Sequence, residues 1–159
     1  MGIAVNTQIF GIISAVFLPP MHVRDPERVQ VIVERSDLFS MPHGLSFPDF
    51  QHSRADSTAL TDHVAFFFTS AHVSIPGQTP VREWIEAVAP DAFNKYGIGT
   101  VLGRGLQPTD GELPPGIPAA VLTRRMWQSR FGGDPAVVGR TVIINAKPFT
   151  IVGVAQPGI

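Results

Sequence analysis

The chain has 159 residues, 44% of them hydrophobic, with a formal net charge of −1 and no cysteine. That length suits one domain with a real core, and near-neutral charge without a basic stripe excludes capture of a nucleic-acid backbone. The missing thiols exclude disulfides, thiolate metal sites and cysteine catalysis.

Counts of 15 glycines and 15 prolines call for many turns and short elements, as in an α+β domain rather than a helical bundle. Residues 2–18 form an uncharged, mostly apolar run at the lower limit for a membrane-spanning helix. A secretory signal, a buried core helix and the outer part of a transmembrane helix compete for it. The signal is disfavoured, because no Lys or Arg precedes the run and no small-x-small site follows it. Pro19 and Pro20 end any helix there and make the junction stiff. Asp25-Pro26-Glu27-Arg28 reads as a solvated turn, residues 29–33 as a first strand, and residues 36–45 as a loop.

Ser46-Phe47-Pro48-Asp49 has the outline of a capping box, with Ser46 as N-cap and Asp49 at the third helical position, so a helix through about Ala55 is expected. Residues 64–75 and 81–88 read as the two strands of a hairpin around the turn at residues 76–80. Phe66, Phe67 and Phe68 are consecutive, so at least one must point away from the core. Pro90 and Asp91 open a short helix holding Phe93 and Tyr96, and Gly97 closes it. Residues 107–118 are a polar, proline-rich loop.

The most consistent signals lie in residues 119–154. Ala119 to Leu122 is a buried-type strand, and Thr123 is an N-cap for a helix that starts at Arg124. That helix carries Trp127 and Phe131 one turn apart and ends at Phe131, before Gly132 and Gly133. Asp134 and Pro135 are a second N-cap and first-turn pair, and Gly139 closes the turn. Residues 140–144 and 147–154 then form a hairpin whose tip, Asn145-Ala146, wants positive φ at both positions. Asn tolerates that and Ala does not. In this register Ile143 faces Pro148 at a non-hydrogen-bonded pair, so the missing proline donor does no harm.

Chemistry is sparse. Gly97, Gly99 and Gly103 are spaced one residue too long for a dinucleotide fingerprint, and no P-loop occurs. His22, His43, His52, His63 and His72 never fall at helical ligand spacing, and no serine sits in a nucleophile elbow. No catalytic, cofactor-binding or metal residue is assigned. Trp127 and Phe131 read as core, each worth roughly 1.5–3 kcal/mol on burial.

The run VLTRRMWQSRFGGDPAVVGRTVIINAKPFTIVGVAQPG closely resembles the extracytoplasmic core domain of MacB-like permeases, the FtsX-type subunits of certain ABC transporters. SFPDF, DPERV, VAPDAFNKYGIGTVLGRGL and the N-terminal GIAVNTQIFGIISAVFL resemble family segments too. Departures are Pro19 in place of a frequent Arg, Ser53 in place of an aromatic, Pro90, Gly99, and Asn145-Ala146 in place of Asn-Gly.

The resemblance implies an α+β fold, a mixed β-sheet with helices packed mainly on one face. Residues 1–18 would be the outer part of a truncated first transmembrane helix, and residues 19–159 an extracytoplasmic core domain incomplete at its C-terminus. Ser46, Pro48, Asp49, Phe50, Trp127, Phe131, Gly132, Gly133, Asp134, Pro135, Gly139 and Arg140 would be structural motif positions. The implied role is to transmit ATP-driven movement of membrane helices to export or release of a substrate, on the periplasmic or extracellular side of a bacterial inner membrane. Implied partners are the rest of the permease, a homodimeric or paired permease, a separate cytoplasmic ATPase and a periplasmic adaptor, with no cofactor and no nucleic acid. Two other readings stay open: a secreted or membrane-anchored binding module, and a small hydrolase in which His63 or His72 meets a carboxylate and a hydroxyl.

Overall fold

The structure, a computed structural model, describes residues 29–30, 32, 44, 46–56, 63–111 and 118–158. The apolar run at residues 2–18 and the proline joint after it lie outside the described residues. Among the described residues no helix is long and apolar enough to cross a membrane.

Among the described residues helix α1, Phe47–Asp56, comes first. It is followed by strands β1, Phe66–Ser74, and β2, Val81–Val88. A short helix α2, Ala92–Tyr96, leads into β3, Thr100–Gly103. Strand β4, Ala119–Leu122, runs into helix α3, Arg124–Phe131. A 3₁₀ turn, Pro135–Val137, precedes β5, Thr141–Ile144, and β6, Lys147–Ala155.

Among the described residues the six strands form one sheet in the order β2-β1-β5-β6-β3, and β4 joins it parallel to β6. The sheet is therefore mixed, and the domain is α+β. Its organising strand is β6, which pairs antiparallel with β5 and β3 and parallel with β4. So many partners demand a strand buried nearly throughout, and Ile151, Val154 and Ala155 are at most 2% exposed. Gly153 is required there for a different reason: a Cβ would lie 2.2 Å from the Arg104 carbonyl oxygen. Only a residue without a side chain lets the segment after β3 approach β6 so closely.

The core gathers Val73, Ile75, Leu122, Phe131, Val137, Val142, Ile151 and Val154, with Met126, Trp127, Ile144 and Phe149 packed around them. It draws on β1, β4, β5, β6, α3 and the 3₁₀ turn, so it sits between the sheet and the helix–turn segment. The β5–β6 hairpin has the expected register, with Ile143 opposite Pro148.

One expectation fails. Of the strand expected over residues 29–33, only Val29, Gln30 and Ile32 are described, and none of these three lies in a strand. Ile32 is 44% exposed. Alternation by itself does not make a strand; it needs a neighbouring edge and a face to cover, and among the described residues no strand pairs there.

Candidate functional site

The motif positions fall into two places. At the start of α1, Ser46 Oγ accepts a hydrogen bond from the Asp49 N–H (3.3 Å) and donates to the Asp49 carboxylate. The Asp, one methylene shorter than the Glu of a full capping box, meets the hydroxyl. Pro48 is exposed at the second helical position, and Phe50 is half-buried and donates its N–H to the Ser46 carbonyl at 2.9 Å.

The second place is the corner between α3 and the β5–β6 hairpin, and it unites the other eight. Thr123 caps α3 by accepting from the Met126 N–H at 3.2 Å. One of the helix's first-turn donors is thereby satisfied. At the other end Gly132 adopts φ 62°, and both its N–H and that of Gly133 (3.1 Å) reach the Trp127 carbonyl. This αL termination needs glycine. The Trp127 indole N–H crosses the corner to the Asp134 carbonyl at 2.8 Å. That bond keeps one edge of the ring near solvent, so Trp127 is half-buried while Phe131 is only 8% exposed.

Asp134 then starts the 3₁₀ turn, its carboxylate accepting from the Ala136 N–H at 2.9 Å, with Pro135 in the first turn. Gly139, at φ 89°, donates to the Ile151 carbonyl at 2.8 Å, and Ile151 returns a bond to the Arg140 carbonyl at 2.9 Å. The Arg140 guanidinium lies 5.4 Å from the Phe131 ring centroid and 3.7 Å from the Asp134 carboxylate. Both Arg140 and Asp134 are about half exposed, so the ion pair counts for little and the ring contact for about 0.5–1 kcal/mol.

The β1–β2 turn is fastened to the same corner. Gln78 Nε2 donates to the Arg130 carbonyl at 2.9 Å, satisfying one of the last carbonyls of α3, and the Arg130 guanidinium reaches the Thr79 carbonyl at 3.3 Å. Helix, 3₁₀ turn and both hairpins are thus tied together by hydrogen bonds.

A second polar cluster is absent from the motif positions. Arg104 grips the Asp110 carboxylate with two bonds, 2.6 and 3.0 Å, and the Gln107 N–H adds a third at 2.8 Å. The Asp110 side chain is 5% exposed and that of Arg104 40%. The Arg104 hydrogen bonds, helped by the Gln107 N–H and opposed by burial, hold the Asp110 carboxyl below the ordinary aspartate value. No motif of the sequence singles out this pair, which is closed by a turn in which the Asp110 N–H also donates to the Gln107 carbonyl at 2.8 Å. The pair anchors the start of the proline-rich loop.

For chemistry the structure offers little more than the sequence. His63 is buried with Nε2 unpartnered, and His72 is exposed. Among the described residues no three His, Cys, Asp or Glu side chains gather in a metal-holding group. A shallow open groove runs along Thr123, Arg124, Arg125, Gln128 and Ser129 toward Pro157 and Gly158.

Comparison with known proteins places this geometry. Fold likeness appears with the periplasmic region of MacB from Actinobacillus actinomycetemcomitans, TM-score 0.60 at 16% identity, over 91% of this chain and 65% of that one. It appears also with the extracellular domain of the noncanonic ABC-type transporter YknZ from Gram-positive bacteria, TM-score 0.59 at 15% identity, over 72% of this chain and 59% of that one. The chain thus spans less than two thirds of either structure. No curated protein matches it. The family model of the MacB-like periplasmic core domain matches residues 1–159, and the chain therefore belongs to the MacB-like periplasmic core domain family.

Proposed function

We propose that the chain is the extracytoplasmic domain of an ABC transporter permease and transmits ATP-driven movement of membrane helices to the export or release of a substrate. The observation that carries this reading is the family match across every residue. The α3 corner supports it: a body that relays displacement must not absorb it, and the corner ties a helix, a 3₁₀ turn and two hairpins together by short-range bonds. Ser46, Pro48, Asp49 and Phe50 at the α1 start, and Trp127 through Arg140 at the corner, serve in this reading as stiffening positions rather than reactive groups. The motor is a separate cytoplasmic ATPase, and the domain works beside a second permease copy on the periplasmic or extracellular side of the membrane. Transmission of this kind is a bias between two arrangements and needs no catalytic side chain.

The test uses the complete transporter with its ATPase in lipid nanodiscs. This chain has no cysteine, so in a transporter whose other segments and ATPase have had any cysteine replaced, a single cysteine at exposed Ser129 is the one labelling site. The distance distribution between the two permease copies is expected to shift between the nucleotide-free and ATP-bound states. An identical distribution in both states refutes transmission through this domain.

A further inference from the structure

The β1–β2 hairpin carries an aromatic surface that the α3 corner does not use. In its register Phe66 lies opposite Val88, Phe68 opposite Glu86, Ser70 opposite Trp84 and His72 opposite Arg82. Paired residues share a face of an antiparallel ribbon. Val73 pairs with Val81 on the core face, so Phe66, Phe68, Trp84, Glu86 and Val88 share the other. Trp84 is 80% exposed and Phe68 61%, and Phe66 packs edge-on against Phe68 at 5.8 Å between ring centroids. Contiguous exposed aromatics of this kind mark interaction sites more often than scattered surface residues do.

Glu86 makes this face selective. It stands directly opposite Phe68, with Trp84 and Val88 two residues away on either side of its own strand. Arg82, the cation on the same face, is engaged by Ser70 at 2.7 and 2.9 Å. Burial among its neighbours pushes the Glu86 carboxyl above its ordinary value, and among the described residues no ion pair engages it.

The edge of β1 adds a third feature. The His72 N–H donates to Asn145 Oδ1 at 2.9 Å and its carbonyl accepts from the Asn145 N–H at 3.0 Å, so its backbone faces β5. Alternation turns the backbone groups of Phe66, Phe68 and Ser70 to the same side. There β5 pairs only with Val73 and Ser74. Among the described residues no strand pairs with the rest of that edge.

We propose that this edge and face form a docking site for an extended polypeptide segment of a partner protein, one that presents an arginine to Glu86 across the Phe68 ring. A row of backbone donors and acceptors that no described strand pairs is matched by another backbone, not by a small ligand, and a flat ribbon encloses no small molecule. An added strand lies two strand spacings, roughly 10 Å, from β2. An arginine and Glu86 reaching toward each other close that gap, the guanidinium stacking on the aromatic ring as it passes. The site is independent of the transmission role.

The test titrates the full chain with an acetylated, amidated heptapeptide of alternating threonine and valine with arginine at its centre, against the same peptide centred on glutamine. Exposed Trp84 is the fluorescent reporter, with Trp84→Phe as control, and amide NMR shifts at Phe66, Phe68 and Ser70 report the edge. The arginine peptide is expected to bind roughly tenfold more tightly than the glutamine peptide, and Glu86→Gln to remove the difference. Glu86→Gln changes an exposed side chain, and circular dichroism verifies its fold. Equal binding of the two peptides, or binding of neither, overturns the proposal. So does an equal blue shift of Trp84 on phosphatidylcholine vesicles in the parent and Glu86→Gln proteins, which assigns the face to lipid.

Discussion

Replacing Ala146 by glycine is expected to stabilise the domain. Asn145 and Ala146 both have positive φ, 48° and 66°, which the two-residue hairpin joining β5 to β6 requires. The left-handed region costs an alanine about 1–2 kcal/mol through its Cβ. Glycine escapes that cost but brings more freedom to the unfolded chain, worth about 0.5–1 kcal/mol in the opposite direction. Ala146 is exposed, so its methyl group contributes no burial. The balance is a gain of about 0.5–1 kcal/mol. For a chain of this size that raises Tm by about 1–4 °C, measurable by far-UV circular dichroism or calorimetry.

Asn145→Gly separates turn strain from side-chain contact at the same tip. It too removes a positive-φ side chain, yet it deletes the Asn145 Oδ1 acceptor of the His72 N–H. It is expected to destabilise by about 1 kcal/mol. A Tm for Ala146→Gly equal to or below the parent's refutes the argument from turn strain.

Asp110→Asn is expected to cost about 1–2 kcal/mol at neutral pH, discounted because Arg104 remains 40% exposed. Because the folded-state carboxyl of Asp110 titrates below its ordinary value, its contribution is complete above about pH 4 and fades as the pH falls through the folded value. The gap between parent and variant in urea unfolding should therefore narrow in acid, and a gap that widens there contradicts the pairing. Gly153→Ala sets a Cβ 2.2 Å from a backbone oxygen and is expected to cost more than about 3 kcal/mol, seen as loss of the cooperative thermal transition. Trp127→Phe keeps the ring but deletes the donor to the Asp134 carbonyl. It should cost about 1–2 kcal/mol and speed amide exchange at Ala136 and Val137, and an unchanged exchange pattern argues against a stiffened corner.

What the sequence determined by itself was local. The Thr123, Asp134 and Ser46 caps, the glycine ends after Phe131 and Tyr96, and the Asn145-Ala146 turn with Ile143 opposite Pro148 all follow from residues within a few positions of one another. Caps, turns and two-residue hairpins are closed by such neighbours, so their chemistry can be read in order along the chain. The motif from Trp127 to Arg140 was legible for the same reason, although the indole bond to Asp134 and the stacking of Arg140 on Phe131 appear only in three dimensions.

Tertiary structure decided what depends on distant partners. The parallel seat of β4 beside β6, the junction of β1 with β5, and the clasp of Asn145 on His72 join segments up to 73 residues apart. Val29, Gln30 and Ile32 come from a run that alternates as a strand should, yet none of the three lies in a strand, because pairing edges come from the rest of the fold. Phe66, Phe67 and Phe68 show the converse. At least one of them had to point away from the core, and in the fold all three are exposed, Phe67 included, although it shares its face with buried Ala71 and Val73. A strand's period says which residues share a face, and only the packed neighbours say whether that face is buried.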